Sequence, residues 1–270
     1  MLLCILLLTH QVYAGFPVGR KHLLLVPTYS YYTARGYWDR NHNYTPYAGD
    51  NGKFTSSYFG LYGGYGITRK LDLVFNVPYT NQTSVQNGVS TSNNGLGDAT
   101  VGLSYFFTRF ESLTHFSITG SALIPMYTNP TVDKPFLGFQ EYGTELKLGL
   151  AGSDKTNGKY LYYDLEAGAR RFFGTEGPTQ VFANFTGGVP IKKKWKVSAT
   201  MGGIISSSNQ DTFNPNNLTA NRDFNYLRFT VAGGYSITKK VGLWANGFMD
   251  VMGSNIGRGR GFTVFMVIKI

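Results

Sequence analysis

Residues 64–73 read GYGITRKLDL, and residues 234–243 read GYSITKKVGL. In both stretches an apolar run ends, two basic residues follow, and a new apolar run begins. Looser versions of the same phrase occur at 105–114 and 188–197. Because no single short period separates the copies, they indicate a recurring kind of turn and not the stacked unit of a solenoid.

The residues that follow the first copy alternate in character. In 71–79 the odd positions carry Leu, Leu, Phe, Val and Tyr, whereas the even positions carry Asp, Val, Asn and Pro. A period of two predicts a β-strand with two different faces. Such runs occur at 21–33, 53–67, 70–80, 96–107, 112–126, 138–151, 159–172, 178–189, 194–206, 223–237, 240–253 and 260–270. All twelve reach the length of about 9–11 residues that a strand needs to cross a bilayer.

The connections between the runs fall into two classes. Those after the even-numbered runs are short and basic, whereas those after the odd-numbered runs are mostly longer and rich in Asn, Ser and Gly, as at 81–94 and 206–222. This asymmetry is typical of outer-membrane barrels. We therefore predict an all-β fold, an antiparallel up-and-down transmembrane β-barrel of about 12 strands, with both termini on the short-turn side. The alternative, a soluble β-sandwich or lipocalin-like barrel, is disfavoured because side chains fill a barrel of about eight strands but not a larger one.

The first 14 residues, MLLCILLLTHQVYA, differ from the rest of the chain. An apolar stretch followed by Val12-Tyr13-Ala14 predicts a signal peptide over 1–14, which leaves a single barrel domain over 15–270. The alternative is a buried first strand. The one cysteine, Cys4, lies in this segment, and an exported chain without cysteine suits the bacterial outer membrane.

The last ten residues, GFTVFMVIKI, place Phe262, Val264, Met266, Ile268 and Ile270 on one face of a strand. This run resembles the C-terminal signal that the barrel-assembly machinery reads, although that signal usually ends in Phe and this one ends in Ile. The machinery is therefore a predicted partner during biogenesis, and an ordinary terminal strand is the alternative.

The net charge of +10 raises the question of a nucleic-acid or anion partner. The five short turns hold ten of the basic residues and only two acidic ones, so the excess lies mostly at one rim. We predict no nucleic-acid partner, since no basic helix or groove motif accompanies the charge. The tract GRGRG at 257–261 resembles an RNA-binding sequence, but we interpret it as a glycine-rich outer loop.

Catalytic and metal-binding patterns are missing from the sequence after residue 14. The histidines His22, His42 and His115 lack metal-ligand spacing, and no GxSxG is present. His115 shares a strand face with Ser117 and Thr119, which favours a hydroxyl row in a pore wall over a nucleophile site. We therefore predict no catalytic residue, no cofactor, no metal and no enzymatic activity.

Charged side chains occur on the strand face opposite the apolar one, and both signs are interspersed. Parity predicts that the following residues line the lumen: Asp72, Asp98, Glu145, Lys147, Asp164, Glu166, Arg170, Lys196, Arg228 and Asp250. Two interpretations stay open. The residues form cross-strand pairs that hold the wall, or they create a transverse field that orients a polar solute, as charged rings do in channels.

Residues 92–107 read SNNGLGDATVGLSYFF, in which Gly95, Leu96, Gly97 and Asp98 form a short motif at the start of a strand. Its glycines allow a bend or bulge where the chain enters the wall, and Asp98 is expected to cap backbone donors or to pair with a basic residue. The motif and the topology resemble the outer-membrane family named for the meta-pathway of phenol degradation. The resemblance implies an outer-membrane transporter and the passage of aromatic or apolar compounds.

These observations predict a monomeric channel in the lipid bilayer for passive uptake of small solutes, aromatic or apolar ones among them. The first strand begins near Lys21, so we expect no N-terminal plug, and closure must come from the long outer loops or from side chains. The alternative function is that of a non-transporting barrel, an enzyme or adhesin, that acts through its extracellular loops.

Overall fold

The computed structural model describes residues 16–110, 114–130, 134–156, 159–209 and 213–270. The predicted signal peptide and Cys4 lie outside the described residues. The chain forms a closed antiparallel barrel of 12 strands with two further short strands, which confirms the predicted fold class. The 12 barrel strands are β1 Leu23–Trp38, β3 Lys53–Gly66, β4 Leu71–Gln86, β6 Asp98–Phe110, β7 Thr114–Pro125, β8 Gly143–Thr156, β9 Lys159–Phe172, β10 Thr179–Pro190, β11 Trp195–Ser207, β12 Phe224–Ser236, β13 Val241–Ser254 and β14 Ile256–Lys269.

The barrel closes because the last strand pairs with the first. Leu24 lies opposite Lys269 and Tyr29 lies opposite Val264 in the β1–β14 ladder. Each of the other barrel strands pairs with its neighbours along the chain. Closure leaves the wall without a free edge, so the backbone N–H and C=O groups of the wall bond to one another.

The two faces of the wall differ in the sense opposite to that of a soluble protein. Large apolar side chains such as Leu103, Phe185 and Val231 are exposed on the outer surface. Polar side chains such as Ser104 and Thr119 are buried on the inner surface. Continuous exposure of apolar side chains around a wall is costly in water, and a lipid surrounding removes that cost.

The repeated phrase of the sequence forms two equivalent turns. In the β3–β4 turn, the Thr68 hydroxyl accepts hydrogen bonds from the N–H groups of Lys70 and Leu71 at 3.1 and 3.0 Å. In the β12–β13 turn, the Thr238 hydroxyl accepts from Lys240 and Val241 at the same distances, 3.1 and 3.0 Å. The phrase repeats because a threonine satisfies the same two donors at the same end of the barrel. We call this end the short-turn end and the opposite end the long-loop end.

Two segments that we expected to be outer loops belong to strands instead. Residues 81–94 continue β4 and form β5 Val89–Leu96, a hairpin that turns at Asn87 and Gly88, both with positive φ (51° and 78°). The GRGRG tract lies inside β14 and not in a loop. Its glycines occupy inward positions of the strand, where aromatic rings leave no room for a larger side chain: a Cβ at Gly259 would lie 2.2 Å from Cζ of Tyr32.

The long-loop end carries little regular structure beyond this hairpin. The three-residue strand β2 Tyr44–Pro46 pairs with the end of β1. A 3₁₀ turn, Leu218–Ala220, lies in the connection between β11 and β12. In the described ranges, no helix is both long enough and apolar enough to cross a bilayer.

Candidate functional site

An aromatic cavity of about 590 Å³ occupies the long-loop half of the lumen. The strand residues Tyr32, Phe54, Tyr58 and Phe248 line its wall. Phe136 and Phe139 reach it from the connection between β7 and β8. Hydroxyl groups interrupt the aromatic surface at Ser30 and Thr263, which are hydrogen-bonded to each other at 2.9 Å. We call this cavity the aromatic chamber, and its lining suits an apolar body with a polar group at its edge.

A second cavity of about 350 Å³ lies among β8, β9, β10, β11 and β12, and we call it the charged chamber. It contains two ion pairs: Lys147 Nζ lies 2.8 Å from Glu166 Oε1, and Arg170 Nε donates to Glu145 Oε2 at 2.9 Å. The second pair forms because Glu145 and Arg170 are register partners on β8 and β9. Each cation has its own carboxylate, so the four side chains contribute no net charge to the chamber.

Arg228 lines both chambers and therefore marks their junction. Its Nε donates to Asp250 Oδ1 at 2.7 Å across the β12–β13 ladder. The guanidinium also lies over the ring of Phe248, 4.3 Å from the centroid. The Asp250 side chain is only 1% exposed, whereas that of Arg228 is 33% exposed. A buried carboxylate is thus paired with a cation that reaches the lumen.

The ten predicted charged residues do not form one site. Six of them, Glu145, Lys147, Glu166, Arg170, Arg228 and Asp250, surround the two chambers. Lys196 lines a small cavity at the short-turn end together with Lys269. Asp72 and Asp164 are buried in the wall. Asp98 lies at the long-loop end.

The GLGD motif forms a bulge in the wall. Asn76 pairs with Thr100, but Tyr79 pairs with Leu96, so the strand opposite β4 holds one extra residue at Gly97. The Gly97 N–H donates to the Pro78 carbonyl at 2.9 Å. The bulge separates β5 from β6 and precedes Asp98, whose Oδ1 accepts a hydrogen bond from the Tyr127 hydroxyl at 2.8 Å.

Residues 134–140 fold inward beside this motif, and we call them the inserted loop. A Cβ at Gly138 would lie 2.2 Å from the Tyr127 hydroxyl and 2.6 Å from Asp98 Oδ2, so a larger residue would displace the loop or these side chains. A Cβ at Gly95 would touch Leu137 at 3.0 Å. Burial, and then the negative charge of Asp98, raise the pKa of Tyr127. The motif therefore provides space and an acceptor for a loop that covers the aromatic chamber.

The connection between β11 and β12 meets the inserted loop from the other side. The Phe136 N–H donates to Thr219 Oγ1 at 2.7 Å, and Asn217 Nδ2 donates to the Lys134 carbonyl at 2.8 Å. Arg222 adds an ion pair with Glu141, at 2.7 Å between Nη1 and Oε1. Two outer loops are thus joined above the chamber.

A further set of contacts lies at the short-turn end. Phe16 packs edge-on against His115 with ring centroids 5.3 Å apart, and the Val18 N–H donates to Asp72 Oδ2 at 2.7 Å. Residues 16–18 thus contact the wall at the short-turn end, although the first strand begins only at Leu23. The physical reason is Asp72, whose buried carboxylate needs a donor that the wall does not supply.

Some polar side chains on the inner face of the wall bond to one another across neighbouring strands. Thr119 Oγ1 donates to Ser104 Oγ at 2.9 Å, which makes a hydroxyl contact between neighbouring strands. His115 lies beside Phe16 as described above. The described part of the chain contains no group of three or more His, Cys, Asp or Glu side chains that could hold a metal ion.

Comparison with known proteins gives a fold relationship. Neither a protein-family model nor a curated protein matches the chain. Among solved structures, the chain is similar to an outer membrane channel from Pseudomonas putida F1, with a TM-score of 0.75 and 15% identity over 97% of this chain and 100% of that one. It is also similar to the transport unit of the autotransporter AIDA-I from Escherichia coli (TM-score 0.52, 8% identity, 92% and 90% covered). The NanC porin gives a TM-score of 0.51 at 7% identity, with 90% and 98% covered. At these identities the similarities establish the barrel fold.

Proposed function

We propose that this protein is an outer-membrane channel through which small solutes with an aromatic or apolar body diffuse. One observation carries the proposal: the aromatic chamber and the charged chamber adjoin at Arg228 inside one closed barrel. We propose that a solute passes from one chamber to the other beside the Arg228 side chain. We propose that the passage is passive.

The location follows from the surface of the barrel. Its exposed apolar side chains, among them Phe185 and Val231, suit lipid, and its closed ladder suits a bilayer core without water. We place the barrel in the bacterial outer membrane as a monomer, after export by the signal peptide over 1–14 and insertion by the barrel-assembly machinery. The fold shared with the outer membrane channel from P. putida F1 supports this placement.

The charges favour uncharged or weakly polar solutes over ions. Lys147, Arg170 and Arg228 are each paired with a carboxylate, so a passing ion gains little from any of them. Aromatic walls attract apolar and aromatic bodies through burial and ring contacts. The resemblance of the GLGD motif to the phenol meta-pathway family points to the same class of solute. We assign no enzymatic activity to the barrel.

A second candidate function rests on the loops. The inserted loop is joined to the β11–β12 connection above the aromatic chamber, and Arg222 contacts both Glu141 and Glu176 there. A cap held this way favours a barrel that works at its outer surface without transport. The two functions differ in one measurable quantity, the flux of solute across the wall.

The test is uptake into proteoliposomes by two matched variants of β3. Ser56 lines the aromatic chamber, whereas Ser57 is its neighbour on the opposite face and pairs with Tyr31. We expect Ser56→Trp to lower the uptake of a small labelled aromatic solute at least fivefold, because the indole fills much of the chamber. We expect Ser57→Trp to leave uptake unchanged. Equal uptake by both variants, or no uptake by the wild type, would reject the proposal.

A further inference from the structure

Four basic side chains lie together on the outside of the wall near the long-loop end. Arg258 and Arg260 alternate with the inward glycines of the GRGRG tract, so both point outward from β14. Arg35 on β1 and Lys53 on β3 lie on the next two strands. All four residues are exposed. We call them the outer basic patch.

The strand register brings the members of the patch close together. Arg260 is the partner of Thr33, two residues before Arg35 on β1. Ala34 is the partner of Phe54 in the β1–β3 ladder. Arg35 and Lys53 are the next residues along these two strands, so they lie opposite each other on the outward face. Neighbouring strands lie about 4.8 Å apart, which places the charged groups within reach of a single ligand.

The outer basic patch differs from the basic residues inside the barrel. Inside, Lys147, Arg170 and Arg228 each contact a carboxylate. On the outside, no Asp or Glu in the described part of the chain forms an ion pair with any of the four. Four adjacent like charges repel one another, weakly where water screens them, and an anion bound among them relieves that repulsion.

On β14, β1 and β3 the patch begins where the apolar surface ends, whereas on β13 the exposed Met249 lies opposite Arg260. On β14 the exposed side chains of Phe262 and Val264 lie next to the patch, on the side that faces the short-turn end. On β1 and β3 the aromatic contact between Tyr29 and Phe59, with ring centroids 4.9 Å apart, lies on the same outer surface below the patch. This boundary is the level at which lipid headgroups meet a barrel.

Arg258 is held in a position to bind phosphate. Its guanidinium carbon lies 5.7 Å from the ring centre of Trp38 and 5.2 Å from that of Tyr44. Stacking uses the faces of the guanidinium and leaves its N–H edge free to donate. Arginine binds phosphate through two parallel N–H donors, and three of the four patch residues are arginines.

From these observations we infer that the outer basic patch binds the phosphate groups of a glycolipid in the outer leaflet, whose acyl chains lie on the aromatic surface below. The inference rests on the outer-membrane location proposed above but not on transport. It also gives a role to the GRGRG tract: its glycines accommodate rings in the lumen, and its arginines face the lipid.

The experiment measures lipid binding by the folded full-length barrel in detergent micelles. The probe is lipid A with both phosphates, compared with the same acylated disaccharide without phosphate. We expect Arg258→Gln/Arg260→Gln to raise the apparent Kd for the phosphorylated lipid at least tenfold, since each basic residue near anionic lipid contributes about fivefold to the affinity. We expect Arg258→Lys/Arg260→Lys to give an intermediate Kd, because lysine keeps the charge but not the paired donors.

The matched control removes the same charge from the other rim. Lys239→Gln/Lys240→Gln, in the β12–β13 turn, should change the Kd less than twofold. Should the double arginine variant fail to fold, Arg35→Gln and Lys53→Gln should each raise the Kd about fivefold. Equal Kd values for wild type and folded arginine variants, or equal binding of the lipid without phosphate, would overturn the inference. Because lipid binding is measured without transport, its outcome does not depend on whether the barrel conducts solutes.

Discussion

The ion pair at the junction of the chambers predicts an asymmetric response to mutation. Arg228→Met removes the cation beside Asp250 and leaves a carboxylate that is 1% exposed without its partner. Asp250→Asn removes the anion and leaves a guanidinium that is 33% exposed to the lumen. The same contact is broken in both variants, but the residue left behind is buried in one and hydrated in the other.

The magnitudes follow from that difference. Removing one partner of a buried ion pair costs about 3–5 kcal/mol, mostly because the remaining charge is uncompensated. We expect Arg228→Met to lower the free energy of unfolding by about 3 kcal/mol, near the low end of that range, since the pair is open to the lumen on one side. We expect Asp250→Asn to cost about 1 kcal/mol, the scale of one hydrogen bond. The double variant Arg228→Met/Asp250→Asn should be more stable than Arg228→Met alone.

The assay is reversible unfolding of the refolded barrel by guanidinium chloride, followed by tryptophan fluorescence. The order of the midpoints decides the matter, with Arg228→Met lowest and Asp250→Asn close to the wild type. If Asp250→Asn proves as destabilising as Arg228→Met, the assignment of the buried and the hydrated partner is wrong.

Further predictions concern the inserted loop and the N-terminal segment. Gly138→Ala should raise single-channel conductance because the added methyl group displaces the loop, whereas Gly120→Ala, whose Cβ would meet nothing within 4 Å, should not. Asp98→Asn should lower stability by about 1 kcal/mol without altering solute preference; unchanged stability with altered preference would make Asp98 a selectivity residue. The pKa of Tyr127 is raised in the folded barrel, and an unfolded tyrosine ionises near pH 10. The contribution of Tyr127 to stability should therefore be lost as the pH rises above about 10. Over that range the free energy of unfolding of the wild type should fall relative to that of Tyr127→Phe. Val18→Pro removes the N–H that donates a hydrogen bond to the buried Asp72 carboxylate on β4. This variant should both lower the unfolding midpoint and increase conductance. If neither quantity changes, the contact is dispensable.

The strands were predictable because each carries a period of two, and the errors lie at strand ends; the sixth run, predicted at 138–151, is β8 Gly143–Thr156. The first run was predicted to end at residue 33, but β1 extends to Trp38, and the third run was predicted to end at residue 80, but β4 extends to Gln86. Residues 81–86 of β4 are mostly polar on both faces, so the alternation stops there while the hydrogen-bonded ladder continues. The hairpin of β4 and β5 was missed for this reason.

The aromatic chamber was not predictable from the same signal. Tyr32, Tyr58 and Phe248 occupy inward positions, whereas the pattern that identifies strands assigns apolar side chains to the outer face. Their parity, opposite to that of Tyr29 and Phe59, was the available clue. The inserted loop depends on contacts between residues far apart in sequence, such as Gly138 with Asp98, and no local pattern reports such contacts.

The central claim is that solutes cross the barrel through its lumen, and current through single barrels in a planar bilayer tests it most directly. The account predicts discrete current steps from the refolded wild type, smaller steps from Ser56→Trp and wild-type steps from Ser57→Trp. It also predicts that a small aromatic solute on the long-loop side reduces the wild-type current while it occupies the chamber. A folded, inserted barrel that carries no current, or steps that Ser56→Trp leaves unchanged, would contradict it.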